Sequence, residues 1–156
     1  MDVTVIRPPL VYGFGAKGNF SLLTRAVKLG IPLPFAAVCN RRAFVSVENL
    51  TSFILHRLSN PSKEFDVFLL ADDEQVSTPE FITRLANAAG TPSRLFPVSS
   101  AVLSALFKIG GRLEARDSLL GSLELDVSKA DSTGWRPKVT LDEGLRLAIT
   151  GQADDS

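Results

Sequence analysis

The stretch that most constrains this chain is its first, where Val3-Thr4-Val5-Ile6 runs straight into Arg7-Pro8-Pro9. A short β-branched run bounded by prolines reads as a buried strand that stops at a rigid loop, because proline fixes φ and has no amide to offer a ladder. Asp66 to Ala71, with Val67-Phe68-Leu69-Leu70 at its centre, reads as a second buried strand, and Ala43-Phe44-Val45-Ser46-Val47 as a shorter one. Helix signals alternate with these runs, so the fold class is α/β. In an open α/β sheet ligands bind beyond the carboxyl ends of the strands, which draws attention to the loop after Ile6.

The helices announce themselves by spacing and by their ends. Asn19 stands where it can cap a helix with Phe20, Leu23 and Val27 on one face and Gly30 at its end. Ile31-Pro32-Leu33-Pro34-Phe35 is extended, and its prolines keep it out of a sheet centre. Leu50, Phe53, Ile54 and Leu58 share helical spacing and stop near Asn60-Pro61. Ser77 and Glu80 have capping-box spacing, with Pro79 in the first turn, ahead of an apolar face of Phe81, Leu85, Ala88 and Ala89 closed by Gly90. Arg94 to Val98 is extended. Val102 to Leu113 is an apolar helix with little polar face, so something must cover it, and Gly110-Gly111 marks a break in it. Thr140 and Glu143 form a second capping box, with Leu141, Leu145, Ala148 and Ile149 facing inward. Residues 1–151 read as a single partial α/β unit, and Gln152 to Ser156 as a disordered tail.

Composition removes several classes of function. Lys and Arg total 17 and balance 17 Asp and Glu, so nothing in the net charge suggests a nucleic acid or other polyanion as partner. One cysteine, Cys39, excludes an internal disulfide and fits a reducing cytoplasm; with one histidine, His56, a metal site is not expected. No apolar run is long enough to span a membrane, and no signal peptide is visible. His56 sits opposite the apolar stripe near a helix C-terminus and has no Ser or Cys partner in view. No serine lies in a nucleophile elbow. Gly13-x-Gly15-x-x-Gly18 has the literal spacing of a dinucleotide loop, but Pro8, Pro9 and further loop residues separate it from the strand, and no ribose-binding acid follows at the right distance.

Three segments carry a resemblance: Arg7-Pro8-Pro9-Leu10-Val11-Tyr12-Gly13, then Arg42-Ala43-Phe44-Val45-Ser46-Val47-Glu48-Asn49-Leu50, then Arg116 with Asp126-Val127-Ser128-Lys129 and Gly134-Trp135-Arg136-Pro137. In that order they resemble R-P-x-x-V-Y-G, R-D-F-I-x-V-x-D-L and the Arg, Asp, Lys and L-G-W-x-P set of the extended short-chain dehydrogenase/reductases. These are the NAD(P)-dependent nucleotide-sugar epimerases, dehydratases and reductases, and Lys17-Gly18-Asn19-Phe20 with Leu33-Pro34-Phe35 looks most like the epimerases and 4-reductases of bacterial surface-polysaccharide synthesis. Departures are Ala43 and Asn49 where that family has Asp, and Thr133 where it has Leu.

The resemblance implies the C-terminal part of a Rossmann-type doubly wound sheet, holding its last two strands, plus the small substrate-binding lobe. It implies a UDP-sugar substrate whose diphosphate meets Asn19, Arg42 and Arg116. It places Pro8, Leu10 and Val11 beside the nicotinamide of NAD or NADP, mostly through backbone atoms. The residues by themselves leave alternatives open: a plain N-cap at Asn19, a solvated loop around Arg41 and Arg42, a surface Arg116, and a merely solvated Lys17.

Asp126 can cap a short helix joined by Lys129, Gly134 can end it, and Trp135 can plug it onto the core. Tyr12 is not the family's catalytic tyrosine, since Ala16 stands four residues on where Y-x-x-x-K needs a lysine, and it reads as a packed loop residue. No catalytic residue is therefore expected here. The chain alone should be inactive and should bind no cofactor tightly, with a separate N-terminal dinucleotide-binding half or a homo-oligomer as partner. A different reading is a non-catalytic binding or assembly module of α/β fold.

Overall fold

Thr4–Arg7 forms β1 and Asp66–Leu69 forms β4, paired in parallel with Thr4 opposite Asp66 and Arg7 opposite Leu69. This computed structural model describes residues 3–62 and 64–151, so the expected disordered tail lies outside the described residues. The two expected sheet strands thus exist and are neighbours. They are less buried than their composition suggests: Val5, Ile6, Val67 and Leu69 are half-buried, and only Phe68 of the four-residue β4 is buried. A strand with one neighbour keeps an open edge and a partly open face.

The segment after Pro9, read from sequence as a loop, is instead a strand. Leu10–Tyr12 (β2) pairs in parallel with Phe44–Ser46 (β3), Val11 opposite Val45. Three residues are too few for alternation to show, which is why the prolines dominated the reading. The described residues divide into two compact units. Unit 1 comprises Met1–Phe14, Ala43–Gln75 and Glu124–Ser156; unit 2 comprises Gly15–Arg42 and Val76–Leu123.

In unit 1, β3 feeds directly into α2, Val47–Ser59, whose first turn is capped by the Ser46 hydroxyl accepting from the Asn49 amide at 3.1 Å. The inward face of α2 is Asn49 and Phe53 with Leu50 partly buried. Ile54 is 40% and Leu58 73% exposed, so the face expected from apolar spacing is rotated. The rotation follows from Asn49, a polar residue that is fully buried because it has partners. The core joins Val45, Phe53, Phe68, Leu70, Ala130 and Trp135, with Ile6, Val11 and Leu50 against it. Phe53 meets both Phe68 and Trp135 edge-on, at 5.2 Å between centroids in each case.

The Trp135 segment arrives as its residues suggest but for the cap. Ser128–Asp131 forms the short α6 with Val127, not Asp126, at the cap position and no side-chain cap, while Asp126 Oδ1 accepts from the Ser128 amide at 2.9 Å one residue further out. Gly134 takes a φ of +83° that only glycine adopts cheaply. Lys129 reaches Asp66 at 2.9 Å and lies over the Phe68 ring. His56 is tied to the same turn, its Nε2 donating to the Thr133 carbonyl at 3.0 Å.

The last helix, α7, spans Leu141–Thr150 with the full capping box of Thr140 and Glu143. Its buried residues are Leu141, Gly144, Leu145 and Ala148. Gly144 is the close approach: a Cβ there would stand 2.6 Å from the Tyr12 hydroxyl and 3.1 Å from Ser46 Cβ. Tyr12 is fully buried and cannot retreat. Gly144→Ala is expected to cost about 2 kcal/mol in urea unfolding, and an unchanged midpoint would refute the contact.

In unit 2, α1 (Asn19–Lys28) buries the expected Phe20, Leu23 and Val27 and packs on α3 (Thr78–Ala88), with Phe20 edge-on to Phe81. The inward face of α3 is Thr78, Phe81, Ile82, Leu85 and Ala86, while the expected Ala88 and Ala89 are only half-buried. Ser77 caps it, accepting from the Glu80 amide. Leu33 bridges Leu95 in the extended segments. The expected helix from Val102 to Leu113 is two helices, α4 (Ser100–Ile109) and α5 (Leu113–Leu120), broken at Gly110-Gly111 where Gly111 has a φ of +67°.

Candidate functional site

All three residues expected on a diphosphate, Asn19, Arg42 and Arg116, belong to unit 2 and lie around α5. Asn19 is the first helical residue of α1 rather than its cap. Gly18 holds the cap position at φ +79°, and no side chain caps the first turn. The difference is one residue, and it leaves the Asn19 side chain unspent on capping. Asn19 lines an open cleft of about 530 Å³ with Leu22, Arg112, Leu113, Glu114 and the Gly111 and Ala115 backbone region. That volume suits a small-molecule site. The bare amides at the starts of α1 and α5 add positive potential.

Arg116 stands on α5, half-buried, with Nε 2.9 Å and Nη2 2.8 Å from Asp117 Oδ1. The pair is exposed on the Asp117 side, so it is worth little and can exchange for another anion. Arg42 is 6% exposed and serves the other end of α5: its Nη1 donates to the Asp117 carbonyl at 2.7 Å and the Gly121 carbonyl at 2.6 Å. Burial lowers its pKa from the ordinary arginine value, with Asp117 opposing. Asn40 works beside it. Its Nδ2 donates to the Leu119 and Gly121 carbonyls, and its Oδ1 accepts from the Thr78 amide. Thr78 Oγ1 donates to the Leu119 carbonyl at 2.6 Å. Asn40, Arg42 and Thr78 together satisfy the orphan carbonyls that close α5. Arg42 thus sits in a built polar pocket, where the paired arginines suggested only an exposed loop.

Pro8, Leu10 and Val11 lie in unit 1. Pro8 is exposed at the carboxyl end of β1, whereas Leu10 and Val11 are half-buried in β2 with their backbone engaged on β3. One ground for setting aside Gly13-x-Gly15-x-x-Gly18 falls, since β2 ends at Tyr12 directly before Gly13 and α1 follows Gly18. The other ground stands: no Asp or Glu occurs between Asp2 and Glu48, so no acid follows at the ribose distance. The described residues do not fit a whole dinucleotide.

Missed by the sequence reading is a buried polar network in unit 1. The Tyr12 hydroxyl donates to Asp72 Oδ2 at 2.5 Å, and Asp72 Oδ1 accepts from the Ser46 amide at 3.0 Å and from Asn49 Nδ2 at 2.7 Å. Asn49 also donates to the Val139 carbonyl and accepts from the Lys138 and Val139 amides. Burial raises the Asp72 pKa against the pull of these hydrogen bonds. Burial, then the Asp72 charge, pushes the Tyr12 phenol far above its usual value. A phenol held neutral inside a core is the reverse of an activated catalytic tyrosine, so Tyr12 is structural. The only advance signal was a lone Tyr and an Asn at a place where the resembling family has Asp.

No family model matches the chain. It is 40% identical over 148 residues to a UDP-glucose 4-epimerase of Vibrio cholerae, covering 94% of this chain and 45% of that protein. It is 24% identical to an N-acetyl-alpha-D-glucosaminyl-diphospho-ditrans,octacis-undecaprenol 4-epimerase of Escherichia coli O157:H7, covering 92% of this chain and 47% of the relative. A human epimerase family protein solved with NADPH superposes with a TM-score of 0.77 at 21% identity, over 96% of this chain and 48% of its own. The chain spans about half the length of the relatives it matches. Shared sequence with the Vibrio protein, the fold held in common with solved epimerase-family structures and the ordered motifs together make the chain similar to the C-terminal part of NAD-dependent epimerases of the extended short-chain dehydrogenase/reductase type.

Proposed function

We propose that this chain is the sugar-diphosphate-binding portion of a cytoplasmic nucleotide-sugar epimerase, with a UDP-sugar as ligand. The observation that carries the reading is the 40% identity to a UDP-glucose 4-epimerase across nearly the whole chain. The surroundings of α5 support it. Asn19 opens on a cleft at its start, Arg116 presents a guanidinium on it, and Arg42 with Asn40 and Thr78 holds its end. In this reading Arg116 releases Asp117 to take the diphosphate and Asn19 donates to it, and Arg42 joins them only when its guanidinium turns from the α5 carbonyls. NAD or NADP and the hydride chemistry belong to the longer protein, with Pro8, Leu10 and Val11 as this chain's contribution near the nicotinamide. Epimerisation, rather than dehydration or reduction, is favoured by the activity named for the Vibrio relative.

Calorimetric titration with UDP tests the reading. Saturable binding is expected, weakened about tenfold or more by Arg116→Ala, since hydrogen bonds to a charged group are worth about 1.5–3 kcal/mol. UDP that binds both proteins alike, or neither, removes it. Hydride transfer by the chain alone would overturn the assignment of catalysis to the longer protein.

A second reading, an assembly module, rests on β1. Its sheet holds β4 alone among the described residues, which leaves an edge open to another strand. A monomer in sedimentation velocity at high concentration removes that reading.

A further inference from the structure

The neutral net charge of the chain hides a division. Unit 2 carries ten Lys and Arg against three Asp and Glu, a net charge of +7, and unit 1 carries seven against fourteen, a net charge of −7. Between Glu80 and Glu114 unit 2 has four cations, Arg84, Arg94, Lys108 and Arg112, and no acid. On this basic unit α4 turns its apolar side chains outward. Val102 is 50%, Leu106 58% and Ile109 85% exposed, and Leu113, which opens α5 after the glycine break, is 52% exposed. Leu103 is the one buried residue of α4. Spacings of four and three put Val102, Leu106 and Ile109 on one face of α4, and Lys108 and Arg112 lie next to Ile109 and Leu113 on either side of the Gly110-Gly111 break.

We propose that this face docks on an anionic phospholipid bilayer. A short helix with an apolar stripe and flanking cations suits the headgroup boundary, where aliphatic side chains enter the acyl region and ammonium and guanidinium groups stay with the phosphates. The field of a unit at +7 draws it to a negative surface. The same charge opposes a second copy packing α4 against α4, because each face would bring its own +7. Both the stripe and the cleft lined by Asn19 and Leu113, the site of the proposed function on which this point rests, belong to unit 2.

The test is co-sedimentation of the full chain with phosphatidylcholine vesicles and with vesicles rich in phosphatidylglycerol. Wild type is expected to bind the anionic vesicles about tenfold more tightly or better. The double substitution Leu106→Ser with Ile109→Ser should lose about tenfold. Lys108→Glu, which leaves the stripe intact, should lose about fivefold or more, since a cation near such a surface is worth about 1 kcal/mol. Leu55→Ser with Leu58→Ser, exposed apolar positions of unit 1, should change nothing. Equal partition of wild type onto both vesicles overturns the proposal, as does full binding by the α4 variant or equal loss in the unit 1 control. UDP titration of the α4 variant runs beside it. Leu106 and Ile109 lie outside the cleft, so vesicle binding and nucleotide binding fail separately.

Discussion

Asn49→Asp is expected to lower stability at neutral pH by about 3–5 kcal/mol, the range for leaving a buried charge uncompensated. The position is fully buried, and Asn49 Nδ2 stands 2.7 Å from Asp72 Oδ1. A carboxylate there replaces a donor with a like charge and also abandons the Val139 carbonyl. The substitution restores the acid that the resembling family carries, so a comparison of sequences alone would favour it. Asp72→Asn in the same chain should recover much of the loss. Turned so that its amide nitrogen takes the place of Oδ1, the new side chain donates to the carboxylate at position 49 while its oxygen still accepts from the Tyr12 hydroxyl, at the cost of the Ser46 amide's partner.

The pH dependence follows from Asp72. Its folded pKa is raised above the unfolded one, by burial, so its stabilising contribution is full below the ordinary aspartate range. That contribution is lost as pH rises through the raised value. Asp72→Asn alone should therefore gain on wild type as pH climbs out of the ordinary aspartate range and through the raised value. Urea unfolding followed by far-UV circular dichroism reads both effects, and an unchanged midpoint for Asn49→Asp refutes the network.

Trp135→Ala is the second large effect, about 3–5 kcal/mol, and Trp135→Phe should cost far less, about 1 kcal/mol. Trp135 is 5% exposed, closes on Phe53 at 5.2 Å, and donates Nε1 to Ser52 Oγ at 3.1 Å. Removing it opens the floor under Phe53, Phe68 and Leu70 and frees the turn that α6 and His56 share. Phenylalanine keeps the ring contact and loses one partly buried hydrogen bond. Thermal unfolding followed by circular dichroism distinguishes the two, and equal losses would show that the hydrogen bond rather than the ring holds the turn.

Much of the fold was legible because local rules acted alone. The capping box at Thr140 and Glu143, the stop at Gly134 and the face of α1 each depend on residues within one or two turns, and the strands around Ile6 and Phe68 were legible from their own apolar runs. Where the reading slipped, a distant partner had decided. Strand β2 is three residues after two prolines and exists because β3 lies beside it. The α2 face turned toward Asn49 because residues 138 and 139, ninety positions away, supply its hydrogen bonds. Arg42 looked like half of a loop pair and became the cap of a helix that begins about seventy residues later.

The three motif segments in their order were enough to point to a resembling family, and through that resemblance to a diphosphate, since motifs follow from which residues the chain carries. The sequence could also say that α4 was too apolar to stand in water uncovered. Only the tertiary structure showed that its stripe stays exposed and that a neutral chain splits into a basic unit and an acidic one. Net charge is a sum over the chain, whereas a field depends on which charges the fold brings to the same side.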